Sequence, residues 1–270
     1  MNKKQYLFIG IGIVIVGSIF MMDTSMLSNN SQVNETETRE LVSLQSQQQI
    51  AYQILGERAG DVHEDVDSLE NLSTPESQLR LALYWDSLFF FNVSAFYYDK
   101  IANENPTEES WLKTANTYLA AFRGSKDSLF KNEFASKAII SYNKALDVNP
   151  NNLNAQAGIG VCKVENGTNP MEGIQALLAV LEKDPLHEEA NKNLGFFSLR
   201  TGQFDKAIVR FANLVKGAPI AENYFYLGEA HRNAGQIEEA KRAFKKCMEL
   251  TSDPLFKEEL EGYINNLEKI

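Results

Sequence analysis

"NLGFFSLRTGQFDKAIVRFANLVKGAP", residues 193–219, holds two glycines seven residues apart, Gly195 and Gly202, among aromatics and charges. Such a pair suits either a phosphate-cradling loop or the punctuation of a helical hairpin. No Walker sequence or dinucleotide fingerprint surrounds it, and no strand-like alternation precedes it. The stretch therefore reads as two short helices around a tight turn. Gly195 makes room for the partner helix, Gly202 closes the turn, Ala207 and Phe211 interlock, and Pro219 stops the second helix.

The same arrangement recurs on both sides. Prolines fall at 106, 150, 185, 219 and 254, spaced 44, 35, 34 and 35 residues apart. Eight residues before the first four stand Tyr98, Tyr142, Leu177 and Phe211. Four residues further back stand Ser94, Ala138, Gly173 and Ala207. An earlier small residue recurs as Ala82, Ala115, Gly160, Gly195 and Gly228. The step to the second small residue is 12 or 13 residues in four units but 23 in the second. The surplus lies in "RGSKDSLFKNE" (123–133) and is expected to form a loop between two helices. The last unit, "YFYLGEAHRNAGQIEEAKRAFKKCMEL" (224–250), keeps its small–aromatic pair as Ala240 and Phe244. One hairpin cannot bury its apolar face alone, but stacked hairpins can.

On these residues the chain resembles a tetratricopeptide repeat (TPR) protein. The resemblance implies an all-α solenoid, a right-handed superhelix of helix pairs. Five pairs are expected over 75–252, at 75–106, 108–150, 153–185, 188–219 and 221–252. "DPLFKEELEGYINNLEKI" (253–270) is expected as a capping helix with Asp253 at its N-cap. The first unit lacks the turn glycine.

Ahead of the repeats, "YLFIGIGIVIVGSIFMM" (6–22) runs seventeen residues without a charge behind Lys3 and Lys4. Residues 1–22 read as a signal-anchor, a transmembrane helix with the N-terminus cytoplasmic and the repeats periplasmic. The alternative is a cleaved signal with secretion to the periplasm. Residues 23–74 read as a polar linker with a helix at 41–58, whose Leu41, Leu44, Ile50, Ala51, Ile54 and Leu55 offer a face for docking or for a homodimer. "GDVHEDVDSLENLSTPES" (60–77) reads as an acidic connector. The layout resembles membrane-anchored bacterial TPR proteins.

A net charge of −10 opposes nucleic-acid binding. Cys162 and Cys247 form no CxxC, and His63, His187 and His231 form no metal motif. No catalytic residue, cofactor site or metal site is expected. Trp85 and Trp111 fall at core positions of inner helices.

What the resemblance implies instead is contact with a protein or peptide along a concave groove. Helical spacing puts Glu189, Lys192, Phe196, Leu199, Glu222, Phe225, Glu229 and Arg232 on the inner faces of units four and five. Phe196 and Phe225 would anchor a peptide, with Lys192 and Arg232 fixing its charge, unless both aromatics pack between neighbouring units. A clamp for a terminal carboxylate needs an inner face rich in Asn and Lys, and here Phe196 and Glu229 occupy part of it. The function expected is a membrane-anchored scaffold for protein–protein interaction in cell-envelope assembly or maturation. The alternatives are a self-association module and, more remotely, a small-ligand binder or enzyme.

Overall fold

The computed structural model describes residues 44–56, 59–72, 74–167 and 169–267. They form thirteen α-helices, and no strand occurs among the described residues. In chain order these are α1 (Leu44–Leu55), α2 (Ala59–Leu72), α3 (Pro75–Ser87), α4 (Phe91–Glu104), α5 (Glu108–Gly124), α6 (Ser128–Val148) and α7 (Leu153–Glu165). There follow α8 (Pro170–Lys183), α9 (Glu188–Arg200), α10 (Phe204–Gly217), α11 (Ala221–Asn233), α12 (Ile237–Leu250) and α13 (Pro254–Leu267). Each helix packs on its sequence neighbours, and first helices α5, α7 and α9 also touch in turn, so the hairpins stack as a TPR-type solenoid.

Local chemistry sets the boundaries. Thr74 and Thr107 open α3 and α5 with reciprocal capping boxes to Ser77 and Ser110. Asn152 caps α7, and Asp253 accepts from the Leu255 and Phe256 amides at the start of α13. Second helices stop where a proline follows. Asn105, Asn149, Asp184 and Ala218 immediately precede the repeat prolines, and all four take φ between −131° and −142° with ψ of 83–101°. The proline ring disfavours the helical region for these residues, and the helix ends there.

The turns inside four of the five repeat hairpins use a left-handed residue. Gly167, Gly202 and Gly235 supply it with φ of 70–74°. In the first repeat Phe89 takes that place at φ 63°, a conformation its Cβ opposes, and its side chain is 64% exposed.

Two expectations are corrected. The eleven extra residues of the second unit do not form a long loop. α5 has 17 residues against 13 in α7 and α9, and α6 has 21 against 14 in α8 and α10. The insertion is thus absorbed as four further residues of α5 and seven of α6, with a turn of three residues left between them. Its own apolar residues explain this: Phe130 stacks on Phe134, which stacks on Tyr118.

The acidic connector is likewise a helix. α2 buries Val62 and Val66 and half-buries Leu69, an i, i+4, i+7 stripe beneath a charged face. With α1 it forms an additional hairpin against α3 and α4. Gln48 Nε2 donates to Tyr97 Oη at 2.9 Å and to Glu70 at 3.0 Å, and Tyr97 donates to Glu70 at 2.5 Å. Asn92 donates to Gln47 at 2.8 Å. These buried amides fix the extra hairpin in register. His63 is exposed and stacks on Tyr52 at 3.6 Å.

The membrane expectation is also corrected. Among the described residues no helix is long and apolar enough to cross a membrane. The longest, α6, carries Lys131, Glu133, Lys137, Lys144 and Asp147. Residues 6–22, on which the single-pass and periplasmic readings rested, lie outside the described residues, as do 23–43 and 268–270.

Candidate functional site

A cleft of about 360 Å³ opens along the first helices of three successive hairpins. α5 lines it with Leu112, Asn116, Leu119 and Arg123, α7 with Asn154 and Gly158, and α9 with Glu189. Tyr142 reaches it from α6.

Gly158 makes the floor. A Cβ there would lie 2.2 Å from Tyr142 Cζ, so only a bare backbone lets the ring pass beside α7. The ring is buried, and its hydroxyl emerges to donate to Asn116 Oδ1 at 2.6 Å. Burial, before all else, pushes the Tyr142 phenol up, so it serves as a neutral donor.

Asn154 is oriented in the same manner. The Ala190 amide donates to His187 Nδ1 at 3.3 Å, which places the ring proton on Nε2. Nε2 then donates to Asn154 Oδ1 at 3.0 Å. The fold therefore occupies the carbonyl oxygen of both carboxamides. Neither Asn116 Nδ2 nor Asn154 Nδ2 has a hydrogen-bond partner among the described residues. Two oriented pairs of N–H donors remain for the cleft.

The extension of α5 supplies the charge. Arg123 lies beyond the length of an ordinary first helix here and meets Glu165 at the end of α7. Its Nε lies 3.1 and 3.2 Å from the two carboxylate oxygens and its Nη2 2.7 Å from one. Glu189 stands 3.5 Å from Nη2. Burial works against the guanidinium charge, but the Glu165 hydrogen bonds and the two carboxylates together raise its pKa further. Glu189 also accepts from Asn193 Nδ2 at 2.9 Å through Oε1.

Of the eight residues expected on the inner face, Glu189 lines this cleft. The other seven are engaged within and between the C-terminal helices. Phe196 packs edge-on to Phe211 at 5.4 Å and to Tyr226 at 4.8 Å, with Leu199 half-buried beside them. Phe225 contacts Phe244 at 5.7 Å and Phe256 of α13 at 6.0 Å. Lys192 pairs with Glu222 at 2.8 Å, and Tyr226 donates to the same carboxylate. Arg232 pairs with Glu229 at 2.8 Å, and Tyr263 of α13 donates to Glu229 at 2.8 Å.

The cleft residues of α5 are legible by repeat, since Leu112, Asn116 and Leu119 stand at the same offsets from Ala115 as Lys192, Phe196 and Leu199 from Gly195, but the inner-face reading stops at units four and five. The usable signal is Leu112, Asn116 and Leu119 recurring at three- and four-residue steps on one helix.

The thiols are buried, and burial pushes Cys162 up to about 12 and Cys247 up to about 11. No group of three or more His, Cys, Asp or Glu placed to hold a metal occurs among the described residues. Trp85 and Trp111 are core residues.

Stacked two-helix repeats make the described residues an all-α helical solenoid of TPR-like fold. Residues 221–254 match the tetratricopeptide repeat family. A thermophilic TPR protein of Thermus thermophilus superposes with a TM-score of 0.53 at 16% identity, over 73% of this chain and 100% of its own. A tetratricopeptide repeat protein from Parabacteroides merdae gives 0.53 at 15% identity, over 86% of this chain and 87% of its own. Both likenesses are of fold. No curated protein sequence matches the chain.

Proposed function

We propose that the chain is a TPR-type scaffold that holds an extended segment of a partner protein in the cleft over α5, α7 and α9. The observation that carries this reading is the pair of carboxamides, Asn116 and Asn154, each with its oxygen held by the fold and its N–H donors left for a ligand. An extended peptide presents backbone carbonyls along its length, and two fixed donors on successive helices suit them. Leu112 and Leu119 give the apolar contact between.

A photocrosslinking residue at position 116 tests this in the cell of origin, with position 258 on α13 as control. Cross-links from 116 that map by mass spectrometry to one segment of a partner, and vanish in Leu112→Asp, support it. Cross-links equal at both positions overturn it.

A second reading, self-association, draws on another surface. Ile54 of α1 is 69% exposed, and it borders a largely apolar cleft of about 440 Å³ with Phe89, Phe91 and Phe130. Deleting α1 would uncover what its buried Ala51 and Gln47 cover, so the point variant Ile54→Glu is the cleaner probe. A dimer that becomes a monomer on sizing supports self-association; a wild-type monomer rules it out.

A further inference from the structure

Arg123 and Glu189 line the α5–α7–α9 cleft with opposite charges, but Arg123 is drawn onto Glu165 beside it, and the imbalance that results identifies what belongs there. This inference rests on the reading of the cleft as a partner site and adds the chemistry of the partner. One guanidinium, Arg123, faces two carboxylates. Glu165 takes three of its short contacts, and Glu189 keeps only the 3.5 Å approach to Nη2. Glu189 Oε1 is shared between Arg123 and Asn193, while Oε2 has no hydrogen-bond or ion-pair partner among the described residues. The Glu189 side chain is 40% exposed.

The next charges along the inner face leave this surplus untouched, because Lys192 is matched by Glu222 and Arg232 by Glu229. An acidic ligand group would find Arg123 already forked onto Glu165, and would meet Glu189 as a like charge. A cationic group completes the set: it gives Glu189 a second partner and brings the charges to balance.

We propose that the occupant is a partner-protein segment in which a Lys or Arg neighbours an aliphatic or aromatic residue. The basic side chain pairs with Glu189 Oε2. The apolar one lies on Leu112 and Leu119, and the backbone carbonyls between them accept from Asn116 and Asn154. The net charge of −10 on the whole chain adds attraction at longer range, so association is faster at low salt.

The test pans a phage library of random nonapeptides on the full chain and then measures the enriched peptides on Leu112→Asp and on Asn154→Trp, which fills the cleft. Enriched peptides are then titrated against the wild type, Glu189→Gln, and Glu258→Gln on α13 as a control for general surface charge. The expected result is enrichment of Lys or Arg beside Leu, Ile or Phe. Affinity should fall about three- to tenfold in Glu189→Gln and stay unchanged in Glu258→Gln. Peptides that bind the cleft but are uncharged or acidic, and are indifferent to Glu189→Gln, overturn the inference while the cleft reading stands. Peptides that bind the two cleft variants as well as the wild type overturn both.

Discussion

The middle and the C-terminal end of the array share one backbone plan and use it differently. Around α9, α11 and α13 the charges of Lys192, Glu222, Glu229 and Arg232 are paired within the chain, and the aromatics are shared between helices. Phe196 sits among Phe211 and Tyr226, and α13 covers α11 through Phe256 and Tyr263. Around α5, α7 and α9 the same face keeps two free sets of amide donors, an apolar strip and an unbalanced carboxylate. The repeat rule therefore dictates where helices run and stop. Whether the inner face is closed depends on side chains 30 or 42 residues apart, such as Lys192 with Glu222 and Arg123 with Glu165.

The strongest way to break the middle is to fill Gly158. In Gly158→Ala the new Cβ collides with the Tyr142 ring at 2.2 Å, and that ring is buried. Displacing it costs about 3 kcal/mol, as for other overpacked cores. For an array of this size that lowers Tm by on the order of 6–12 °C, read by circular dichroism on heating. Coupling is the sharper observable: added to Tyr142→Ala, Gly158→Ala should cost far less than it does alone. Equal costs in both backgrounds would mean that the two groups do not share the space.

The second largest effect separates packing from binding. Phe196→Ala removes a half-buried ring from the junction of α9, α10 and α11 and should cost about 2 kcal/mol, while peptide capture at the α5–α7–α9 cleft stays intact. Leu112→Asp should do the reverse, abolishing capture with a smaller loss of stability. Capture lost in Phe196→Ala at a temperature where the variant is folded would move the site back to the C-terminal inner face.

This pair also marks how far the sequence can be read. The repeat is legible because close helix contact demands a small residue, an aromatic opposite it and a proline at the end, and Gly195, Phe211 and Pro219 each have one geometric task. Residues 123–133 carry a length but not a path, so the insertion reads as loop where Phe130 and Phe134 build helix. α2 is masked by its own charges, since five of its fourteen residues are acidic and only Val62, Val66 and Leu69 carry the stripe. The partners of Phe196 and Phe225 are not legible at all. Helical spacing says that a side chain lies on the inner face, and only the neighbouring repeat says whether that face is already full.

The smallest effect concerns the closed end and depends on pH. Burial works against the Glu222 charge, but Lys192 and Tyr226 outweigh it and hold the carboxyl below the ordinary glutamate value of 4.5. A carboxyl that stays ionised in the folded chain after it would protonate in the unfolded one stabilises the fold above that pH. The contribution is present at neutral pH and disappears as pH falls through the lower folded value. Because the Glu222 side chain is 49% exposed, solvent screens the pair, and the effect is about a few tenths of a kcal/mol. Glu222→Gln should therefore melt slightly below the wild type at pH 7, and the gap should narrow as the pH falls below the ordinary glutamate value and close once it lies below the lower folded one. A gap that persists at the acid end would show that the Gln side chain disturbs the Tyr226 contact itself, and the C-terminal face would then be closed by shape rather than by charge.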